Sequence, residues 1–236
     1  MSNRNPRWKW LPNLLPTLLS ALALGAATMA SAAPQAADPG AAIDSDWVLR
    51  ILARPAPMRT NFVEIRSSRL LKEPLRLSGE YQRPDEHTLV RQVRVPYVET
   101  TTITTDAAGA SQATVAREGK SPRTFALSRV PELARLQASF GALLAGNRAA
   151  LASHYDIHAE GTRRKWEMRL VPKAAPLSDK LRDITLYGRG IELRCIETRP
   201  VEGDVQRTLL AGAARVAHET TSAAAVMALC RGEPTP

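Results

Sequence analysis

About eleven stretches of this chain read as short strands, and nearly all are joined by turns too short to hold a crossover helix. Parallel strands need a connection of a dozen or more residues, so this spacing leaves an antiparallel meander. The pattern is plainest at 75–82, where Leu75, Leu77, Gly79 and Tyr81 fall on one face and Arg76, Ser78, Glu80 and Gln82 on the other. Arg83-Pro84-Asp85-Glu86 then turns the chain back into 87–95, which includes Leu89. Further strands are predicted at 59–70, 97–105, 112–118, 122–127, 155–160, 165–172, 182–187, 191–199 and 205–216. Within them Trp166, Met168 and Leu170 share a face, as do Ile184 and Leu186. A sheet with this many strands twists and curls. The predicted fold class is mainly β (α+β): a curled antiparallel sheet of about eleven strands, giving a barrel or half-barrel with an apolar inner face.

Two segments break the strand period. Residues 46–53 place Trp47, Val48, Ile51 and Leu52 on one helical face, with Asp46 as the predicted cap and Arg54-Pro55-Ala56-Pro57 as the stop. Residues 130–153 carry Leu133, Leu136, Phe140, Leu143 and Leu144 at helical spacing. Gly146 ends that run, and Asn147 can cap a second short helix. These are the pieces able to cover the mouth of a curled sheet. Residues 217–236 lose the pattern and read as a flexible tail.

The first 32 residues have the order of a secretory signal peptide. Arg4, Arg7 and Lys9 precede an apolar stretch at 14–29, and Ala30-Ser31-Ala32 offers a small-x-small cleavage site. The apolar run, broken by Pro16, is shorter than the ~20 residues of a spanning helix; an uncleaved anchor is the alternative. The expectation is a periplasmic domain at 46–216 behind a linker at 33–45. Three of the 32 basic residues and none of the 23 acids lie in the leader, so the remainder carries a balance of +6. That balance fits anionic surfaces or plain solubility. Nucleic acid is not expected, because the compartment is wrong and the basic residues are scattered. In an oxidising compartment Cys195 and Cys230 either form a bridge that pins the C-terminus or stay free, and the spacing does not decide between them.

No catalytic constellation emerges. His154 and His158 are four apart, a metal spacing only on a continuous helix, and they fall where a strand begins. Asp85 and Glu86 are neighbours on a turn and cannot face one substrate as a carboxylate pair. No Gly-x-Ser-x-Gly elbow or glycine-rich phosphate loop is present. The chain is not expected to be an enzyme or to need a cofactor or metal.

The segment Pro74-Leu75-Arg76-Leu77-Ser78-Gly79-Glu80-Tyr81-Gln82-Arg83-Pro84, with Phe62-Val63-Glu64 upstream, resembles the periplasmic outer-membrane lipoprotein carrier family LolA, in particular its LolA-like branch. The order of pieces matches over most of 46–216: a short helix, a Phe-x-Gln or Phe-x-Glu strand, a strand from glycine to Arg-Pro, a strand ending in a proline step at Pro96, and a turn at Asp106 to Gly109. The resemblance implies an unclosed barrel with helical lids at about 46–53 and 130–153 over a hydrophobic cavity. It implies a carrier that receives acyl chains of a lipoprotein from an inner-membrane exporter and delivers them to an outer-membrane acceptor. In such carriers the arginine of the Arg-Pro step hydrogen-bonds the lid and controls opening, and the matching residue is Arg83. Glu64 stands where the family carries glutamine, and the segment after 216 does not match. Related proteins of this branch imply other cargo, such as a glycolipid or a lipid-linked pigment precursor.

A carrier also follows from the cost of exposing lipid, ~0.8 kcal/mol per methylene. The cavity lining is expected from Leu75, Leu77, Tyr81, Leu89, Leu133, Leu136, Phe140, Trp166, Met168, Leu170, Ile184 and Leu186, in a monomer. The same residues could instead form a filled core, as in an envelope scaffold.

Overall fold

Strands β1 (Met58–Arg66), β2 (Leu75–Asp85), β3 (Thr88–Val95), β4 (Glu99–Thr105), β5 (Ser111–Arg117) and β6 (Arg123–Ala126) form one antiparallel meander. A second runs through β7 (Tyr155–Thr162), β8 (Lys165–Pro172), β9 (Leu181–Arg189), β10 (Glu192–Pro200) and β11 (Gln206–Leu210). The computed structural model describes residues 38–66, 74–130, 139–217 and 222–234. First and last strands pair at a central seam, with Phe62 opposite Leu210 and Val63 opposite Leu209, so the two meanders become one 11-stranded sheet. The edges are β6 and β7, which do not pair, and the barrel is unclosed.

This order dictates where a lid must lie. Consecutive strands β6 and β7 sit at opposite edges, so the chain between them has to pass from one edge to the other. The described part of that connection is helical at 139–144 (α2) and at Arg148–Ala152 (α3). Gly146 ends α2 at φ 65°, in the left-handed region that glycine enters without a Cβ penalty. Asn147 caps α3 by accepting from the Ala150 amide at 3.0 Å.

Period-two alternation assigns the two faces. Phe62, Leu77, Val93 and Leu210 are buried together on the concave side. Helix α1 (Ser45–Leu52) and α2 cover the concave side of the second meander, where Val48, Leu49, Leu52 and Leu143 pack on Trp166, Met168, Leu170, Ile184 and Leu186. Burying each such side chain contributes roughly 1.5–3 kcal/mol. The cap of α1 is Asp44, which accepts from the Trp47 amide at 2.7 Å. The predicted cap, Asp46, lies two residues further on in the first turn, where it complements the helix dipole and pairs with Arg148 at 3.1 Å. Gly79 is required where β2 and β3 close, since a Cβ there would stand 1.8 Å from the Gln92 carbonyl oxygen.

The C-terminal residues depart from expectation. The strand predicted at 205–216 stops at Leu210, and the chain turns through Ala211, at φ 46°, into helix α4 (Ala211–Val216). Residues 223–231 are not a loose tail but helix α5 (Ala223–Arg231), capped by Ser222 and ended by Gly232. Both helices lie on the convex face, where Ala213, Ala214, Val226 and Leu229 meet Val63, Ile65, Tyr187 and Leu209. A Cys195–Cys230 disulfide joins β10 to α5. Also convex is the fully buried Glu197, which accepts from Arg199 at 2.6 Å and Arg207 at 2.6 Å. Among the described residues, no helix is long and apolar enough to cross a membrane.

Candidate functional site

The concave face is not filled. Between it and the two covering helices lies a cavity of about 480 Å³, inside the ~300–1,000 Å³ typical of small-molecule sites. Its roof is Ile51 and Leu52 of α1 with Phe140, Leu143 and Leu144 of α2. Its floor is Leu170, Ile184, Leu186, Leu193, Ile196 and Leu210, and its wall toward the first meander is Met58, Thr60, Tyr81 and Leu89. At roughly 30 Å³ per water- or methylene-sized group, the space as built suits about one long acyl chain. Burial pushes the Tyr81 phenol above its ordinary pKa, with Glu64 adding and Arg91 opposing, so the hydroxyl remains a donor at neutral pH.

Arg83 lies at one end of this space and is buried. Its Nη1 donates to the Arg54 carbonyl oxygen at 2.7 Å, and its Nη2 pairs with Glu86. Glu86 in turn accepts from the Ala56 amide at 3.0 Å. The Arg54 amide donates to the Leu144 carbonyl oxygen, at the end of α2, at 3.1 Å. Arg83 thus holds the peptide that follows α1, and that segment holds the end of α2. Asp85 accepts from the His87 amide at 2.8 Å, so both carboxylates of this turn are engaged in structure.

Of the lining residues expected from sequence, Tyr81, Leu89, Phe140, Leu170, Ile184 and Leu186 border the cavity. Leu133 and Leu136 lie outside the described residues. Four are displaced into solid packing. Leu77 is enclosed with Phe62 and Val93, and Leu75 packs beside that group. Trp166 and Met168 are sealed beneath α1, where the Trp47 ring meets Trp166 edge-on at 6.3 Å. The helix that roofs the cavity therefore fills one end of the trough. Sequence reading missed Leu193 and Ile196, because a register shift between Leu193 and Cys195 breaks the alternation that would have marked them. It also missed Arg54, whose contribution is a backbone carbonyl. His154 precedes β7 and His158 lies within it, so no helical pair exists. Among the described residues, no group of three or more His, Cys, Asp or Glu could hold a metal.

The site is an apolar hollow between an open antiparallel sheet and the helices laid across it. The chain belongs to the outer membrane lipoprotein carrier protein LolA-like family, whose model matches residues 36–233. That family is one of carriers, not enzymes. No curated protein matches the sequence. Similar solved structures include the LolA superfamily protein NE2245 from Nitrosomonas europaea, at 10% identity and TM-score 0.36, covering 72% of this chain and 91% of that one. Another is LprF from Mycobacterium bovis, at 11% identity and TM-score 0.30, covering 71% and 91%.

Proposed function

We propose that this protein is a non-enzymatic periplasmic carrier that shelters the acyl chains of a lipoprotein or another lipidated molecule between the inner and outer membranes. The observation that carries the reading is the empty apolar hollow of about 480 Å³ under α1 and α2. An apolar space of that size removes fatty chains from water. It stabilises the complex by roughly 0.8 kcal/mol per methylene buried. The signal-like leader and the LolA-like family support the compartment and the class of cargo. A scaffold would be expected to fill this space with its own side chains. Cargo with several chains requires the lid to move, since the hollow suits about one; Arg83 is the latch of that lid. An exporter in the inner membrane and an acceptor at the outer membrane would load and unload it.

The test is extraction of the folded, purified protein followed by mass spectrometry. Acyl species at a stoichiometric level are expected. A lipid-free extract, combined with no uptake of a hydrophobic naphthylamine dye, would overturn the proposal.

A further inference from the structure

The trough continues beyond the apolar hollow. Thr60, Tyr81 and Arg91 are successive cross-strand partners in β1, β2 and β3, so the wall that starts with Thr60 and Tyr81 extends into Arg91 on the same face. Glu64 and Arg66 follow on that face of β1, and Glu99 and Arg117 face each other across β4 and β5. Glu64 accepts from Arg91 at 2.7 Å and pairs with Arg66. Arg91 lies over the Phe62 ring at 4.8 Å, and Arg117 over the Tyr97 ring at 4.2 Å while bonding Glu99 at 2.7 Å.

Glu64 is buried here, and charged side chains are almost never buried unless paired. Apolar residues of similar volume would stabilise this face as well as ion pairs do, or better. Three arginines against two glutamates leave one positive charge. Each guanidinium also has five N–H donors, more than the two carboxylates engage. The concave face is therefore amphipathic: greasy beneath the helices, cationic along the first meander.

We propose that this charged stretch seats the anionic headgroup, a phosphate or carboxylate, of an amphiphile whose acyl chain lies under the lid. Glu64 is the resident carboxylate with which that headgroup competes for Arg91 and Arg66. The inference rests on the carrier reading and narrows it to cargo with an acidic group close to its chain.

The experiment measures binding to the delipidated full-length protein by calorimetry. The probes are palmitoyl lysophosphatidic acid, monopalmitoylglycerol with the same chain and a neutral head, and glycerol 3-phosphate with no chain. The acidic lipid is expected to bind about tenfold more tightly than the neutral one, the strength of one charge-assisted hydrogen bond. Arg91→Gln should erase that preference and leave the neutral lipid unaffected. Glu64→Gln should increase it, because both arginines are then unopposed. Arg66→Gln, at a more exposed side chain, gives the same readout with less demand on folding. Equal affinity for the two lipids, or a Glu64→Gln protein with reduced preference, overturns the headgroup seat and leaves the carrier reading intact. Glycerol 3-phosphate binding as tightly as the acidic lipid overturns it in favour of a free-phosphate site. Binding of neither lipid overturns the carrier reading, and this inference with it.

Discussion

Arg83 reaches across from β2 to donate to the Arg54 carbonyl oxygen at 2.7 Å, while the amide of the same Arg54 donates to Leu144 at 3.1 Å. One buried guanidinium thus steadies both helical covers. In Arg83→Leu the Arg54 carbonyl loses its partner and Glu86 loses its counter-charge. A buried charge-assisted hydrogen bond contributes about 1.5–3 kcal/mol, and the loss should fall on the lid rather than on the sheet. The variant is expected to fold, with faster amide exchange at 139–152 and in α1 and impaired acyl transfer. Unaltered exchange in those segments would remove Arg83 from the latch.

The Trp166 indole lies where a side chain at position 188 would be. A Cβ added to Gly188 would stand 2.0 Å from the ring. The indole is tied beside that contact by a 2.9 Å bond from Nε1 to the Gly190 carbonyl oxygen, which it would have to give up to swing clear. Gly188→Ala should cost roughly 1–3 kcal/mol, the usual price of overpacking, seen as a lower urea midpoint with unchanged slope. The double variant Gly188→Ala with Trp166→Leu should recover part of that loss relative to Trp166→Leu alone. Simple additivity in this cycle would sink the steric explanation.

Much of this architecture is legible in the sequence alone. Alternation at Leu75 to Tyr81 and at Trp166 to Leu170 marks real strands, and the change of period near Phe140 marks the lid. What stayed hidden depends on contacts distant in sequence. Pairing of β1 with β11 leaves no local trace, yet it puts β6 and β7 at opposite edges of the sheet. The alternation of β2 continues through Leu77, which looks like lining but is closed over by Phe62 and Val93. β11 ends at Leu210 because the chain turns at Ala211, a non-glycine residue at positive φ with no turn signature of its own. Ala223 to Arg231 is too small-sided to show a strong helical stripe, and its place on the convex face comes from the disulfide and from packing on Tyr187 and Leu209.

Ile196 is partly buried and projects into the hollow from β10. Ile196→Trp should fill space instead of displacing neighbours, so the melting temperature should hold while capacity for an acyl chain falls. Fluorescence titration with a hydrophobic naphthylamine dye is expected to show at least tenfold weaker uptake. Undiminished uptake in a folded variant would place the ligand elsewhere.

The Cys195–Cys230 bridge closes a loop of 35 residues and ties α5 to the sheet. Loop closure of this length contributes ~2–4 kcal/mol. Both sulfurs are buried, so reductant alone should act slowly on the native protein. The double variant Cys195→Ala, Cys230→Ala should lower the melting temperature and raise exchange in α5 first, with the hollow still able to take up dye. Loss of dye uptake in a variant that remains folded would show that the convex helices shape the concave site.

Glu160 and Glu167 stand directly opposite each other across β7 and β8. Burial raises the Glu167 pKa most, and the hydrogen bond and charge of Glu160 raise it further, against the opposing pull of Arg231 and Arg169. The folded protein therefore holds the Glu167 proton more firmly than the unfolded chain does. By linkage, the pair's contribution to stability is fully present below the ordinary glutamate pKa of about 4.5. It is lost as pH rises through the elevated folded value. Glu167→Gln keeps the neutral, hydrogen-bonding form at every pH and removes the repulsion between facing carboxylates. The variant should be more stable than the parent at pH 7 and indistinguishable from it near pH 4. Paired denaturant titrations at the two pH values provide the check, and a stability gain that did not depend on pH would rule out the shared proton as its source.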